Sequence, residues 1–160
     1  MTNYGLTHTS VHLSALLYCV AMSLRLWGAS PQPWRQYVTR GCWIAGCVLL
    51  WIHVVAVWCV LHDMSWSEAW DHTAQETATA TGVTTGIGIV FNFLTLGIWT
   101  ADCLGKLNRW RRWVDGYLAF MWFQAAVVFP HSWMRFVGWG ATVWLLGLAV
   151  VRHKGVSQTR

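Results

Sequence analysis

Charged residues are scarce in this sequence. They make up 11% of its 160 residues, against roughly a quarter in ordinary soluble domains, and only six of them are acidic. This composition argues against a water-soluble fold, a disordered chain, a collagen-like chain and a disulfide scaffold. There is also no repeat of about 20 to 50 residues and no internal linker. We therefore expect a single domain over 1–160.

Apolar residues make up 56% of the chain, and 14 of them are tryptophan. A helix needs about 20 mostly apolar residues to cross a bilayer. Three stretches reach that length and two later ones fall near or below it. They are 9–27, 42–61 and 83–104, followed by 114–129 and 137–151. The sequence predicts an all-α polytopic membrane bundle with five transmembrane helices, or four if the last two stretches form one hairpin.

The basic residues indicate an orientation. Ten of the eleven fall between the first and second stretches, between the third and fourth, or in the tail. Lysine and arginine favour cytoplasmic loops, so five crossings place the N-terminus outside and the C-terminus in the cytoplasm of a cell (inner or plasma) membrane. The net charge of +5 follows from this asymmetry and does not indicate nucleic-acid binding. The basic run 106–112 is interpreted as a membrane anchor touching anionic lipid.

The loop between the second and third stretches carries its own structural signal. Ser65 and Glu68 have the spacing of a capping box, which satisfies two free amides at a helix start. Trp66 and Trp70 lie four residues apart on one face of the helix that would follow. The sequence therefore predicts a short amphipathic helix over 65–80 on the outer surface.

Among the polar side chains inside the predicted spans are Asn92, Asp102 and Gln124, and each requires a partner or a purpose. Asn92 and Gln124 lie on helix faces that we expect to point inward and form interhelical hydrogen bonds. Asp102 lies nearer the inner surface, and we expect it to pair with Lys106 one turn later. A path for protons or cations through these residues is the functional alternative.

Histidines are concentrated at the outer side in this topology. The five there are His8, His12, His62, His72 and His131, alongside four acidic residues of the outer loop. Imidazole and carboxylate groups bind first-row transition metals. We expect a metal site drawn from the following residues: His62, His72, Asp63, Glu68 and Glu76. Their spacing matches no established motif, so their convergence in space is the argument.

Haem b offers a second use for histidine. His53 is the one histidine deep enough for a buried haem, with His12 or His131 as candidate second ligands. A pair of axial histidines at the depth of His53 is hard to arrange, because both candidate ligands lie nearer the surface. A hydrogen bond from His53 to a neighbouring helix is the simpler interpretation.

The sequence shows no serine-hydrolase elbow, phosphate-binding loop or dinucleotide fingerprint, and we assign no reaction. Three hypotheses follow. The first is a redox or metal-binding subunit of a larger electron-transfer complex, holding haem or a metal. The second is a non-catalytic anchor or assembly subunit, and the third is a small proton-linked transporter or sensor. All three have the lipid bilayer as a partner, together with other membrane subunits or further copies of the chain.

Overall fold

The computed structural model describes residues 3–27, 32–129 and 133–157, with side chains described from 9 to 152 within those ranges. The described residues form six α-helices and no strand. The helices are α1 (Asn3–Leu26), α2 (Pro33–Leu61), α3 (Trp66–Thr81), α4 (Gly88–Cys103), α5 (Arg111–Phe123) and α6 (Met134–Ser157). A 3-10 turn (Asn108–Trp110) precedes α5, and a π-helical turn (Gln124–Val128) continues it. The all-helical prediction is confirmed.

Fewer helices qualify as membrane spans than the five predicted. Among the described residues three are long and apolar enough, namely α2 and the segments Thr9–Leu26 and Met134–Arg152. The count rises to four only if α4 and the segment Asn108–Val128, bent by 114° from it, form one broken span. Two of the predicted stretches form helices that are too short. Residues 82–87 do not enter α4, so that α4 has 16 residues and is only about 24 Å long, and α5 has 13 residues.

The bend also differs from the hairpin that the sequence suggested between 114 and 151. It falls earlier, after α4, where Gly105 has a positive φ of 72°. Glycine adopts this left-handed conformation without a steric penalty, so it ends α4 and allows the chain to turn toward α5. Residues 130–132, where the alternative hairpin would turn, lie outside the described residues.

Helices α1 and α2 form an antiparallel hairpin, which is the most extensive helix–helix packing among the described residues. The Ser14 hydroxyl donates to the Gly46 carbonyl (2.8 Å), and nearer the turn the Arg35 guanidinium donates to the Leu24 carbonyl (3.0 Å). The Tyr18 side chain, 1% exposed, lies between these contacts at the centre of the core. Its ring centroid is about 6 Å from those of three tryptophans, which are Trp43 of α2, Trp99 of α4 and Trp122 of α5.

The later helices pack so that the basic segments meet. Trp43 contacts Asp102, near the end of α4, and Arg111 at the start of α5 contacts the same carboxylate. Arg152 of α6 donates to the carbonyl of Arg25, at the end of α1 (2.7 Å). We call this side of the molecule the basic end. The opposite side, where α2 ends and α3 begins, is the histidine end.

The predicted amphipathic helix is present as α3. Its N-cap is Ser65, whose hydroxyl accepts the Glu68 amide (3.3 Å), as the capping box predicts. The reciprocal arm of the box is not formed, because the Ser65 amide donates to the His62 carbonyl instead (2.6 Å). The Trp70 ring of α3 covers Gly86, where a Cβ atom would approach it within 2.5 Å. This close contact fixes α3 against the segment that leads into α4.

Candidate functional site

The histidine end brings together part of the predicted metal set. His62 is the C-cap of α2 and is buried, with 6% of its surface exposed. Two residues in the left-handed region, Asp63 and Met64, turn the chain sharply into α3. Nearly two turns into α3 the exposed His72 side chain lies back over His62, with 5.2 Å between the ring centroids. The turn therefore places two imidazoles in contact, although they are ten positions apart in the sequence.

Burial lowers the pKa of the His62 imidazole from its ordinary value, because a charged ring loses water there. The neighbouring His72 lowers it further, and the Glu68 carboxylate partly opposes both effects. A neutral imidazole keeps a lone pair for a metal ion or a hydrogen bond. His62 is therefore held in its neutral, ligand-competent form near neutral pH.

The full metal set predicted from the sequence is not assembled. Among the described residues, no group of three or more histidine, cysteine or acidic side chains lies close enough to hold a metal ion. Asp63, Glu68 and Glu76 are all exposed. The structure thus joins His62 with His72 and brings Glu68 near enough to act on His62 electrostatically, whereas it places Asp63 and Glu76 in solvent.

The predicted haem ligands are distributed along two helices. His53 is half-buried on α2, and His12 is exposed on α1. His131 lies outside the described residues, so a pairing with it is not tested. Haem ligation by His53 stays a prediction.

The three polar residues that were predicted to lie within the membrane have three different environments. Asp102 is buried, Gln124 is half-buried at the start of the π-helical turn, and Asn92 is exposed on α4. The prediction of an inward-facing Asn92 is wrong. The inward face of α4 is formed by Thr95, Leu96 and Trp99, and this places Asn92 outside it.

Asp102 is the centre of a polar network at the basic end. Its carboxylate accepts the Trp43 indole N–H (2.9 Å) and the Arg111 guanidinium (3.2 Å), and the side chain has no exposed surface. The expected pairing with Lys106 is wrong, because the turn at Gly105 carries the chain back and brings Arg111 to the carboxylate while Lys106 is exposed.

Asp115 of α5 extends the network to α1. Its carboxylate accepts from Arg25 at 3.0 Å and lies 3.6 Å from Arg111. The Arg25 guanidinium also lies 3.7 Å above the centre of the Trp43 ring, a cation-π contact. Two arginines, two carboxylates and Trp43 thus link four helices, which are α1, α2, α4 and α5.

A cavity of about 450 Å³ opens beside this network. Four arginines line it together with one carboxylate, that of Asp102. The arginines are Arg25, Arg35, Arg40 and Arg111. Uncharged hydrogen-bonding groups also face the cavity, from Gln36, Thr39 and Asn108.

No family model, curated protein or solved structure matches this chain. The site must be interpreted from its own chemistry.

This cavity is not predicted from the sequence, because the distribution of the basic residues is already explained by membrane topology. The available signal was the pair of acids, Asp102 and Asp115, that lie beside basic residues at the ends of predicted spans. A carboxylate near a cluster of arginines at one membrane surface indicates a network that includes both. Trp43 gave no such signal, since it was one of 14 tryptophans in an apolar chain.

Proposed function

We propose that this protein is a membrane subunit that assembles with other membrane helices, acting as an anchor or assembly component. The observation that carries this proposal is Asn92. Its amide is exposed on the apolar helix α4 and makes no side-chain hydrogen bond within the described residues. The exposed neighbours Phe91 and Phe93 are apolar, so this surface does not resemble a water-facing one.

The position of Asn92 supports a partner helix. It lies four residues after the start of α4, about 6 Å along the helix axis, on an apolar helix that joins Asn108–Val128 in the bent pair. An amide on a lipid-facing surface has few hydrogen-bond partners, and asparagine accordingly associates membrane helices through interhelical hydrogen bonds. The remaining surface is available for such contacts, since only 11% of the α2 span and 6% of the α6 span is buried within the chain.

The basic end supports an orientation for the assembled protein. Arg25, Arg35, Arg111 and Arg152 meet there although they come from four different helices. Because basic residues favour the cytoplasmic side, we place this end in the cytoplasm of a plasma or inner membrane. Since α1 and α6 both end there, the N-terminus would be outside and the C-terminus inside. Labelling of cysteines introduced at Met64 and Lys106, each with a membrane-impermeant reagent, tests this placement.

Asn92→Leu tests the assembly, with Asn92→Gln as the matched control that keeps an amide. We expect wild type and Asn92→Gln to migrate as a larger complex when native membranes are solubilised gently, and Asn92→Leu to dissociate more readily. An interhelical hydrogen bond is worth about 0.6 kcal/mol on average, so the expected weakening is roughly threefold. Equal association of all three proteins, or a monomeric wild type, would contradict the proposal.

The contact between His62 and His72 favours a second candidate function, binding of a first-row transition metal at the histidine end. Both His72 and Glu68 are exposed, so rotation of their side chains would complete a site around His62. Zinc titration monitored by calorimetry tests this, with His72→Ala as the variant and His12→Ala as the control. Stoichiometric binding that is lost only in His72→Ala supports the metal site, and equal affinities in the two variants exclude it.

A further inference from the structure

The cavity at the basic end carries more positive charge than the network beside it neutralises. Asp102 and Asp115 offset two arginines, Arg25 and Arg111, through the ion pairs described above. Arg35 donates to a backbone carbonyl, which neutralises no charge, and Arg40 makes no ion pair with a described carboxylate. The cavity therefore holds an excess of two positive charges, and an anion of charge −2 would balance it.

The paired arginines are already fixed in place. Trp43 lies beneath both guanidinium groups, with Arg25 3.7 Å and Arg111 5.7 Å from its ring centre. Because stacking and ion pairing hold these two groups, a ligand does not have to order them. They form a rigid wall of the cavity, and Arg35 and Arg40 from the first turns of α2 form the other side.

The chemistry of the lining selects the class of ligand. Guanidinium groups bind phosphate oxygens through paired hydrogen bonds, and a phosphate monoester carries close to two negative charges at neutral pH. The neutral donors and acceptors Gln36, Thr39 and Asn108 suit a polar group attached to the phosphate. A volume of about 450 Å³ falls within the range of small-molecule sites and exceeds what a bare phosphate needs.

The position of the cavity points to the membrane surface. It lies where α1 and α4 end and where α2 begins, and basic pockets between transmembrane helices at this level bind phosphate-bearing lipid headgroups. From these observations we infer that the basic-end cavity is a binding site for a phosphate monoester, either the terminal phosphate of a lipid such as phosphatidic acid or a soluble phosphate compound.

Arg40→Gln tests the site against Arg112→Gln as the matched control. Both arginines are exposed at the basic end and both substitutions remove one charge, but only Arg40 lines the cavity. A general attraction between the basic end and anions therefore predicts equal losses of affinity in the two variants. A specific binding site predicts that Arg40→Gln lowers the affinity about tenfold or more, through the loss of one charged hydrogen bond, and that Arg112→Gln changes it little.

Two probes separate the sources of phosphate. The first is inorganic phosphate titrated into the delipidated full chain in detergent. The second is phosphatidic acid, compared with phosphatidylglycerol in phosphatidylcholine nanodiscs and measured as lipid retained in native mass spectrometry. Phosphate binding that Arg40→Gln weakens supports a soluble ligand. Preferential retention of phosphatidic acid that Arg40→Gln abolishes supports a lipid headgroup.

The inference would be overturned if wild-type protein bound neither probe, or if Arg40→Gln and Arg112→Gln weakened binding equally. Arg40→Lys guards against an effect of misfolding, since it keeps the charge but loses the paired donors. We expect it to retain the helical circular dichroism of wild type and to bind more weakly than wild type but more tightly than Arg40→Gln. The Asn92 variants are expected to bind both probes normally, so assembly and phosphate binding can fail separately.

Discussion

Replacing Asp102 with asparagine tests whether the network at the basic end stabilises the fold. The substitution keeps the size of the side chain but removes the charge that accepts from Trp43 and Arg111 at 2.9 and 3.2 Å. The new amide also has an NH2 group in place of one carboxylate oxygen. This group is a hydrogen-bond donor, so it would face one of the two donors without accepting from it. The carboxylate side chain has no exposed surface, so water cannot replace the lost interactions.

The expected loss in the free energy of unfolding depends on how exposed each partner of Asp102 is. Breaking a fully buried ion pair costs about 3 to 5 kcal/mol. Arg111 is 35% exposed and keeps its contact with Asp115, so its share is reduced toward the value of about 1 kcal/mol found for exposed pairs. The bond from the buried Trp43 contributes about 1 to 2 kcal/mol, because its acceptor is charged. We expect Asp102→Asn to lower the free energy of unfolding by about 2 to 3 kcal/mol.

Reversible unfolding in mixed micelles with increasing denaturing detergent, followed by circular dichroism, measures this loss. Asp115→Asn is the control, because its carboxylate is 28% exposed and the expected loss is about 1 kcal/mol. A double-mutant cycle with Trp43→Phe isolates the indole bond and should give a coupling of about 1 kcal/mol. Equal losses for the two aspartate variants, or a coupling near zero, would refute the reasoning.

Two further predictions concern packing and pH. Gly138→Ala should destabilise the protein by about 1 to 3 kcal/mol, because its new Cβ would lie 2.7 Å from the carbonyl carbon of Ala126. The control Gly140→Ala places its Cβ in open space and should be neutral or stabilising by up to about 1 kcal/mol. Similar unfolding midpoints for the two variants would contradict this prediction. Because the pKa of His62 is lowered in the folded protein, the unfolded chain takes up its proton first, so stability should fall as pH drops below about 6.5 toward the folded pKa. Thermal unfolding measured from neutral to mildly acidic pH should show a smaller decline in His62→Gln than in wild type, and identical slopes would count against the assignment.

Much of the helical framework was predictable because its signals are local. The apolar lengths of the first two stretches and of the last one correspond to the three helices that qualify as spans. The Ser65 cap placed the start of α3 correctly, since the capping bond joins residues three positions apart. The five-span count failed at 83–87, where apolar and small residues do not form helix, and at α5, which has only 13 residues before the π-helical turn. Hydropathy records what suits lipid and does not show where a helix begins.

The candidate sites were harder to predict, because periodicity shows which residues share a helix face and not which face turns inward. Asn92 and Thr95, three residues apart, share a face of α4 by periodicity, yet Thr95 is buried and Asn92 is exposed. Similarly, the i,i+4 rule suggested Lys106 as the partner of Asp102, whereas the turn after α4 supplied Arg111. The contact between His62 and His72 was within reach of the sequence, since a sharp turn before a capped helix folds α3 back toward the end of α2.

The order of the helices along the chain has a consequence for biogenesis. Trp43 belongs to the first hairpin, and Asp102, the carboxylate that accepts its indole N–H, is translated about sixty residues later. Chains emerge from the ribosome N-terminus first, so the hairpin can be inserted before α4 is made. A carboxylate entering a bilayer alone is strongly disfavoured. Here the indole donor of Trp43 is already in place to receive it, so early insertion of the hairpin would prepare insertion of the later helix.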